Sequence, residues 1–377
     1  MKPMTVIADS NIASLDEFFN ASTLGQATGQ SINIISVAGR DISPALLADT
    51  QPNVLLIRSV TPVDEALLAD NNSVQFVGSA TIGTDHVDQN YLMSRNITFA
   101  NAAGCSKHSV AQYVLTAILS LRPQYWQQSI TLGIIGLGNI GSTLAHYASD
   151  LGWQVLGYDP LLPPSDTNNA SFEQVLSQSD VVSLHVPLTN KKDKDASNAT
   201  RMSDDSDCST HYPTRHLLDA SALAMMPAST MLINSARGPV IHASDLEADI
   251  ERTERQVVLD VFEHEPEISE GLLSKLTIAT PHIAGYTLEG KLRGTQIIYN
   301  ALCEKLAVTP TQSMDTLLPP NMFLWSDLKT YPDKLFKFYD IMQDDMMLRS
   351  EAVDGHVNGS DFDRLRRDYQ LRREWQS

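Results

Sequence analysis

One stretch of the chain, residues 132–160, limits the possible folds more than any other. An apolar run leads into Gly136-x-Gly138-x-x-Gly141, a helical pattern follows, and a second apolar run ends at Asp159. This order predicts a strand, a glycine turn, a helix and a second strand. In such a unit the first glycine forms the tight turn, the second lets the backbone approach a pyrophosphate, and the third lets helix and strand pack closely. The stretch therefore predicts a dinucleotide-binding unit.

The acid at the end of the second strand favours one dinucleotide over another. The N–H groups at the start of the helix can bind phosphates, and Asp159 can accept hydrogen bonds from the ribose hydroxyls of the adenosine. A carboxylate at this place disfavours a 2′-phosphate, so the sequence favours NAD over NADP. A glycine turn that binds no nucleotide is the alternative, and the strand, helix and acid around the turn argue against it.

Short apolar runs and helical patterns alternate along most of the chain. They do so over residues 4–100, before the glycine motif, and again over 160–283. Strands that alternate with helices favour parallel sheets with right-handed crossovers. A helical pattern at 106–121 ends before Pro123 and is expected to connect the two blocks. We predict an α/β fold with two Rossmann-like, doubly wound parallel-sheet domains.

Composition argues against several classes of function. The chain has 377 residues and a formal net charge of −18, which would repel nucleic acid and anionic membrane surfaces. No apolar run approaches the ~20 residues that a membrane span needs, and residues 1–40 lack the pattern of a signal peptide. We therefore expect a cytoplasmic protein with no nucleic-acid or membrane partner. Cys105, Cys208 and Cys303 lie far apart, which argues against a disulfide framework and a metal site.

Two segments differ from the alternating pattern. Residues 189–214 are nearly free of large apolar side chains, so we expect an exposed, mobile insertion. Cys208 and His211 inside it are weak evidence for metal binding, and we predict no metal site. The tail from residue 321 has a helical stripe of aromatic residues and Met, which is typical of a core or a dimer interface. Its last segment carries clustered arginines, for which we expect a salt-bridged helix surface.

Three separated motifs converge on one reaction. Arg237, Glu265 and His282 each follow a different apolar strand. Because the carboxyl ends of parallel strands meet at one edge of a sheet, these side chains are expected where a nicotinamide ring would lie. Arginine offers a planar fork for a carboxylate, and histidine exchanges protons near neutral pH. Glu265 can hydrogen-bond the second imidazole nitrogen and so fix the tautomer.

This set predicts the oxidation of a 2-hydroxy acid. Arg237 would anchor the carboxylate, His282 would remove the hydroxyl proton, and C2 would deliver hydride to NAD⁺. Taken singly, each residue also has an ordinary explanation as an ion-pair partner or a satisfied polar group. His185, which follows another strand, is a weaker candidate because no acid near it in the sequence would orient it.

These motifs resemble those of the D-isomer-specific 2-hydroxyacid dehydrogenases. The matching elements are the glycine motif with its acid, Asn234-Ser-Ala-Arg-Gly, Asp260-Val-x-x-x-Glu-Pro and Pro281-His-Ile-Ala-Gly. Stretches at 57–68, 76–88, 282–295 and 315–319, and the end of the tail, are similar to family members that act on 4-phospho-D-erythronate. The resemblance implies its NAD-dependent oxidation to 2-oxo-3-hydroxy-4-phosphobutanoate by a homodimer, on the route to pyridoxal 5′-phosphate.

The resemblance also implies roles for individual residues. It gives the three residues that converge on the reaction a catalytic role. The residues that it places on the substrate are Ser59, Thr81 and Tyr286. The residues that it places on the cofactor are Gly136, Gly138, Asn139, Ile140, Gly141, Asp159, Val186, Ser235, Ala236, Arg237, Asp260 and Gly285.

The family pattern divides the chain into three domains. It implies a substrate-binding domain at 1–105 and 284–308 and an NAD-binding domain at 106–283 that carries the insertion. It also implies a small α+β dimerisation domain at 309–377.

Two departures from the family pattern stand beside two alternative functions. Val186 replaces the usual threonine after His185, which removes a hydroxyl contact to the cofactor, and the insertion is longer than usual. The first alternative is the same chemistry on another substrate, such as 3-phosphoglycerate. The second is a non-enzymatic binding protein that senses NAD.

Overall fold

A computed structural model describes residues 3–190 and 212–376. Its strands are β1 Met4–Asp9, β2 Ile32–Val37, β3 Val54–Ile57, β4 Phe76–Ser79, β5 Thr98–Asn101, β6 Thr131–Ile135, β7 Gln154–Tyr158, β8 Val181–Leu184, β9 Met231–Asn234, β10 Val257–Leu259 and β11 Ile278–Ala279. Its α-helices are α1 Leu15–Phe19, α2 Gln26–Thr28, α3 Pro44–Thr50, α4 Glu65–Leu68, α5 Gln89–Ser94, α6 Lys107–Leu121, α7 Asn139–Asp150, α8 Phe172–Gln178, α9 Ala220–Met225, α10 Ala243–Thr253, α11 Glu270–Leu273, α12 Leu288–Lys305, α13 Trp325–Thr330, α14 Leu335–Phe338, α15 Ile341–Ser350 and α16 Gly359–Arg367. Most of the expected insertion, with Cys208 and His211, lies outside the described residues.

The first of two compact units comprises Met1–Ser106 and Thr287–Asn321. Its five strands form a parallel sheet in the order β2-β1-β3-β4-β5. Val6 and Ile7, successive residues of β1, belong to two different apolar clusters. The sheet is therefore buried on both faces, as parallel sheets require.

The second unit comprises Lys107–Tyr286 and Met322–Ser377. Its six strands form a parallel sheet in the order β11-β10-β9-β8-β6-β7. Ile134 and Ile135 of β6 again point into different apolar clusters. Between β6 and β8 the strand order reverses, and ligands of such sheets bind outside the carboxyl ends of the strands at this point. Together the two sheets confirm the predicted fold class.

Side-chain caps explain where several helices begin. Ser171 accepts a hydrogen bond from the backbone N–H of Gln174, whose side chain accepts one in return from the backbone N–H of Ser171. The side chain of Thr287 caps α12 by accepting a hydrogen bond from the N–H of Gly290. These caps satisfy N–H groups that the first helical turn leaves unpaired.

The tail packs with the second unit. Its described part, 322–376, contains helices α13–α16 and isolated bridge pairs such as Leu324 with Gln376. Trp325 and Trp375 stack with ring centroids 5.0 Å apart in one apolar cluster of that unit. The boundaries of the compact units thus fall at 106/107, 286/287 and 321/322. A separate dimerisation domain stays a prediction.

The helices of residues 3–190 and 212–376 are shorter or more polar than a membrane-spanning helix. None of them combines the length and the apolar character that crossing a bilayer would need.

Candidate active site

The three glycines of the motif lie in different surroundings after β6. Gly136 has φ +92°, and a Cβ there would lie 2.8 Å from the carbonyl carbon of His185. A Cβ on Gly141 would lie 2.0 Å from the carbonyl oxygen of Gly136. Around Gly138, which precedes α7, no heavy atom of the described chain comes within 4 Å of such a Cβ. Two glycines thus permit close packing, and the third leaves open space at the helix N-terminus.

The acid after β7 holds this glycine loop. One carboxylate oxygen of Asp159 accepts from the N–H of Leu137 at 2.9 Å, and the other accepts from the N–H of Leu161 at 3.0 Å. Each oxygen keeps acceptor capacity, because a carboxylate offers about four lone-pair sites. Asn139 and Ile140 follow as the first residues of α7.

The turn after β9 is fixed by the side chain of Asn234. Its Oδ1 accepts from the N–H of Ala236 at 3.0 Å, and its Nδ2 donates to the carbonyl oxygen of Arg237 at 2.9 Å. The Arg237 guanidinium donates to the carbonyl of Ala236 at 2.8 Å. Gly238 allows this turn to approach the next loop, since a Cβ there would overlap the carbonyl oxygen of Phe262 at 1.9 Å.

Two features at this sheet edge fit a dinucleotide. The hydroxyl of Ser235 is buried and has no hydrogen-bond partner among the described residues. Buried polar groups are nearly always paired, so an unpaired one at a site suggests a missing ligand. The open space above Gly138 accommodates a pyrophosphate at the α7 N-terminus.

Histidine and glutamate meet in the loops after β10 and β11. Nδ1 of His282 lies 2.6 Å from Oε1 of Glu265, which is the contact that the sequence predicted. His282 has φ +56°, in the left-handed region that non-glycine residues seldom adopt. Burial alone would raise the pKa of Glu265, but the charge and hydrogen bond of His282, with the charge of Arg366, lower it below its ordinary value.

Asp260 organises the backbone around His282. Its carboxylate accepts from the hydroxyl of Thr280 at 2.6 Å and from the N–H groups of Ile283 and Ala284 at 2.8 and 2.9 Å. Burial raises the pKa of Asp260 to about 6, and His282 and these donors oppose the rise. The carboxylate therefore holds the loop that ends at Gly285 and Tyr286, and a cofactor contact would be additional to these bonds.

His185 is unsuited to proton exchange. Burial lowers its pKa to about 3, so the ring is uncharged at neutral pH. One ring nitrogen lies 2.9 Å from the hydroxyl of Ser183, and Nδ1 has no partner in the described structure. This environment agrees with its lower rank as a candidate base.

The predicted substrate residues are divided between the two compact units. Ser59 is exposed just after β3, and the Thr81 hydroxyl lies 2.9 Å from that of Ser79 at the end of β4. In the second unit Tyr286 is half-buried, with its ring 6.0 Å from that of Tyr369.

The sequence pattern did not indicate that Arg366 and Arg372 of the tail lie near the site. Arg364 and Arg367 pair with acids near the surface, as expected for a salt-bridged helix. The expectation of a surface position is wrong for Arg366 and Arg372. Arg366 does pair with Asp363 on α16, but its side chain is largely buried. Arg372 lies beyond that helix, is more deeply buried and donates to two carbonyl oxygens of the His282 loop. Arg366 stacks 5.9 Å above the Tyr286 ring. The only signal in the sequence was a basic cluster in an acidic chain.

Within residues 3–190 and 212–376, no group of three or more His, Cys, Asp or Glu side chains is arranged to hold a metal ion.

Similarity to known proteins shows which family the chain belongs to. The model of the D-isomer specific 2-hydroxyacid dehydrogenase catalytic domain matches residues 28–314. The chain belongs to this family. Relatives named erythronate-4-phosphate dehydrogenase are 73% identical in Psychrobacter arcticus, over 100% of both chains, and 72% identical in Psychrobacter cryohalolentis, over 100% of this chain and 98% of the relative. One from Acinetobacter baumannii is 46% identical over 99% and 98% of the two chains.

Solved structures show the same fold at lower identity. A glyoxylate reductase from Paecilomyes thermophila superposes with a TM-score of 0.65 at 21% identity, over 84% of this chain and 100% of the other. A D-lactate dehydrogenase from Aquifex aeolicus, complexed with NAD and lactic acid, gives 0.62 at 23% identity, over 80% and 95%. Both likenesses concern the fold alone.

Proposed function

We propose that this protein is an NAD-dependent erythronate-4-phosphate dehydrogenase, which oxidises 4-phospho-D-erythronate to 2-oxo-3-hydroxy-4-phosphobutanoate in pyridoxal 5′-phosphate biosynthesis. One observation carries the proposal: the relatives that bear this enzyme's name match the whole chain, tail included, at up to 73% identity. The contact between His282 and Glu265 supports it chemically.

The proposed mechanism assigns one task to each side chain. The guanidinium of Arg237 binds the substrate carboxylate through a two-pronged hydrogen bond. Glu265 is ionised because its pKa is lowered, so its carboxylate accepts a hydrogen bond from the Nδ1–H of His282. That tautomer leaves the lone pair on Nε2, which takes the hydroxyl proton, and the glutamate stabilises the imidazolium that forms. Hydride acceptance from C2 is the chemistry that bound NAD supplies.

Cofactor binding is proposed for the edge of the second sheet. Gly136, Gly138 and Gly141, with Asn139 and Ile140, would hold the pyrophosphate. The ribose would lie at Asp159, and the nicotinamide end would lie near Val186, the 235–237 turn, Asp260 and Gly285. Ser59, Thr81 and Tyr286 are proposed to contact the substrate.

We also propose a cytoplasmic homodimer that forms through the tail. In support, large apolar side chains are exposed there, with Met322 at 83%, Met346 at 63% and Tyr331 at 56%. Sedimentation analysis should give twice the chain mass of 41.4 kDa. A monomer at micromolar concentration would contradict this part of the proposal.

Substrate comparison tests the activity. The purified protein with NAD should oxidise 4-phospho-D-erythronate with a kcat/KM at least about 100-fold above that for 3-phosphoglycerate, a difference of about 2.7 kcal/mol. A higher kcat/KM for 3-phosphoglycerate would contradict the assignment of 4-phospho-D-erythronate as the substrate. NAD binding without turnover of any 2-hydroxy acid would favour the sensing alternative.

A variant of the proposed base tests the mechanism. His282→Asn suits the backbone, because asparagine adopts positive φ more readily than alanine does. It should lower kcat by about 10²-fold or more while NAD affinity stays within about threefold. A kcat near that of the wild type would remove His282 from the mechanism.

A further inference from the structure

The loop that carries His282 is held from two sides. Asp260 accepts the N–H groups of Ile283 and Ala284 at 2.8 and 2.9 Å. The carbonyl oxygens of the same two residues accept from the guanidinium of Arg372, at 3.2 Å for Ile283 and 2.8 Å for Ala284. The two residues that follow His282 are therefore each bound through both the backbone N–H and the backbone carbonyl oxygen.

Arg372 is itself held rigidly. Its side chain is only 8% exposed, and its guanidinium carbon lies 4.1 Å from the centre of the Tyr339 ring. Its Nη1 lies 3.8 Å from a carboxylate oxygen of Asp344 and 3.0 Å from the Tyr369 hydroxyl. Asp344 in turn accepts from both tyrosine hydroxyls, at 2.7 and 2.9 Å. A planar guanidinium fixed in this way can hold two carbonyl oxygens at once, which a lysine ammonium on a flexible stem cannot do equally well.

The contact of Arg372 with the loop matters because of the backbone conformation of His282. A non-glycine residue at φ +56° is in a costly conformation that persists only where its surroundings impose it. Arg372 and Asp260 supply those surroundings immediately after the residue. If the loop relaxed, the imidazole would lose its alignment with Glu265, and a misplacement of about 1 Å can cost about 10²-fold in rate.

We propose that Arg372 is a positioning residue for His282: it grips the Ile283 and Ala284 carbonyls and so holds the proposed base in its reactive geometry. The tail then contributes to catalysis through the loop, without contact to the reacting atoms. This inference rests on the proposed function, since it assumes that His282 exchanges a proton with a hydroxy acid.

The central variant is Arg372→Lys, which keeps the charge but gives up the planar fork. We expect kcat to fall at least about tenfold, while KM for the hydroxy acid and the Kd for NAD change less than about threefold. Arg367→Lys is the matched control, because Arg367 lies in the same tail with a side chain that is 61% exposed and pairs with the exposed Asp368. It should leave all three constants unchanged.

Tyr369→Phe removes one hydrogen bond to Arg372 and should lower kcat about two- to fivefold, which provides a milder test if Arg372→Lys does not fold.

Hydrogen exchange gives a readout that does not need turnover. Amide exchange of the 282–286 peptide should accelerate at least about tenfold in Arg372→Lys, while exchange of the β6 peptide stays as in the wild type. Wild-type kcat together with unchanged exchange in the variant would overturn the proposal. It is also overturned if KM rises as much as kcat falls, or if exchange accelerates equally throughout the second unit.

The proposed function can fail separately. If the wild-type protein turns over no 2-hydroxy acid, that function is refuted, and the exchange experiment alone decides whether Arg372 holds the loop.

Discussion

The same added methyl group should affect two glycines of one motif differently, lowering stability at Gly141 and NAD affinity at Gly138. In Gly141→Ala the new Cβ would lie 2.0 Å from the carbonyl oxygen of Gly136, whereas ordinary contacts begin at 3.4 Å. Helix α7 and the loop must therefore separate by about 1.4 Å. Because the opposing atom belongs to the backbone and cannot rotate away, we expect a loss at the upper end of the overpacking range, about 3 kcal/mol.

Gly138→Ala should leave the free protein almost unchanged. Its φ of −64° suits alanine, and no described heavy atom lies within 4 Å of the new Cβ. The free energy of unfolding should change by less than about 1 kcal/mol. The methyl group would instead occupy space that the pyrophosphate needs, so NAD should bind at least about tenfold more weakly, a loss of about 1.4 kcal/mol.

Two measurements separate these effects. Urea unfolding of the NAD-free proteins gives the stability change, and calorimetric titration with NAD gives the affinity. The reasoning is refuted if Gly138→Ala loses as much stability as Gly141→Ala, or if Gly138→Ala binds NAD as tightly as the wild type does.

Three further predictions concern stability and are all measured by urea unfolding. Because burial lowers the pKa of His185 to about 3, the unfolded chain takes up a proton at this residue before the folded chain does as the pH falls. Between pH 7.5 and 5.5 the free energy of unfolding of the wild type should therefore fall by about 1.4 kcal/mol more than that of His185→Asn. Equal losses in the two proteins would contradict this prediction. Arg255→Met should cost about 3–5 kcal/mol because it removes a fully buried guanidinium, which pairs with the buried Asp249 carboxylate and donates to the carbonyl oxygen of Pro227. Its control Arg252→Met, at a side chain that is 60% exposed and pairs with the same acid, should cost less than about 1 kcal/mol, and similar losses would show that burial does not decide the effect. Ser171→Ala should lower the free energy of unfolding by about 1 kcal/mol because it removes the side-chain cap of α8. Ser171→Asn should keep most of the wild-type stability, because asparagine also caps helices well.

Local patterns were sufficient where the physical cause is local. The unit β6–α7–β7 was predictable because strand periodicity, glycine spacing and the acid at 159 all act within 29 residues of each other. The same holds for the strand ends that carry Arg237, Glu265 and His282. Parallel strands bring their carboxyl ends to one edge, so residues from different strands can be expected there without knowledge of the strand order.

The tail could not be read in this way. Arg372 bonds the carbonyl of Ile283 across 89 positions of the chain, and no period or spacing encodes such a contact. Clustered arginines favour a solvated, salt-bridged helix on statistical grounds, and that interpretation is right for Arg364 and Arg367. Packing against Tyr339 and Tyr369 reversed it for Arg372.

The sequence by itself determined the class of fold, the nucleotide motif and the three side chains proposed to catalyse the reaction, because each depends on residues that are neighbours in the chain or on the common geometry of parallel strands. Only the tertiary structure decided how His282 is held. Its left-handed backbone, the Asp260 carboxylate beneath it and the Arg372 guanidinium behind it come from three distant parts of the second unit, and only folding brings them together.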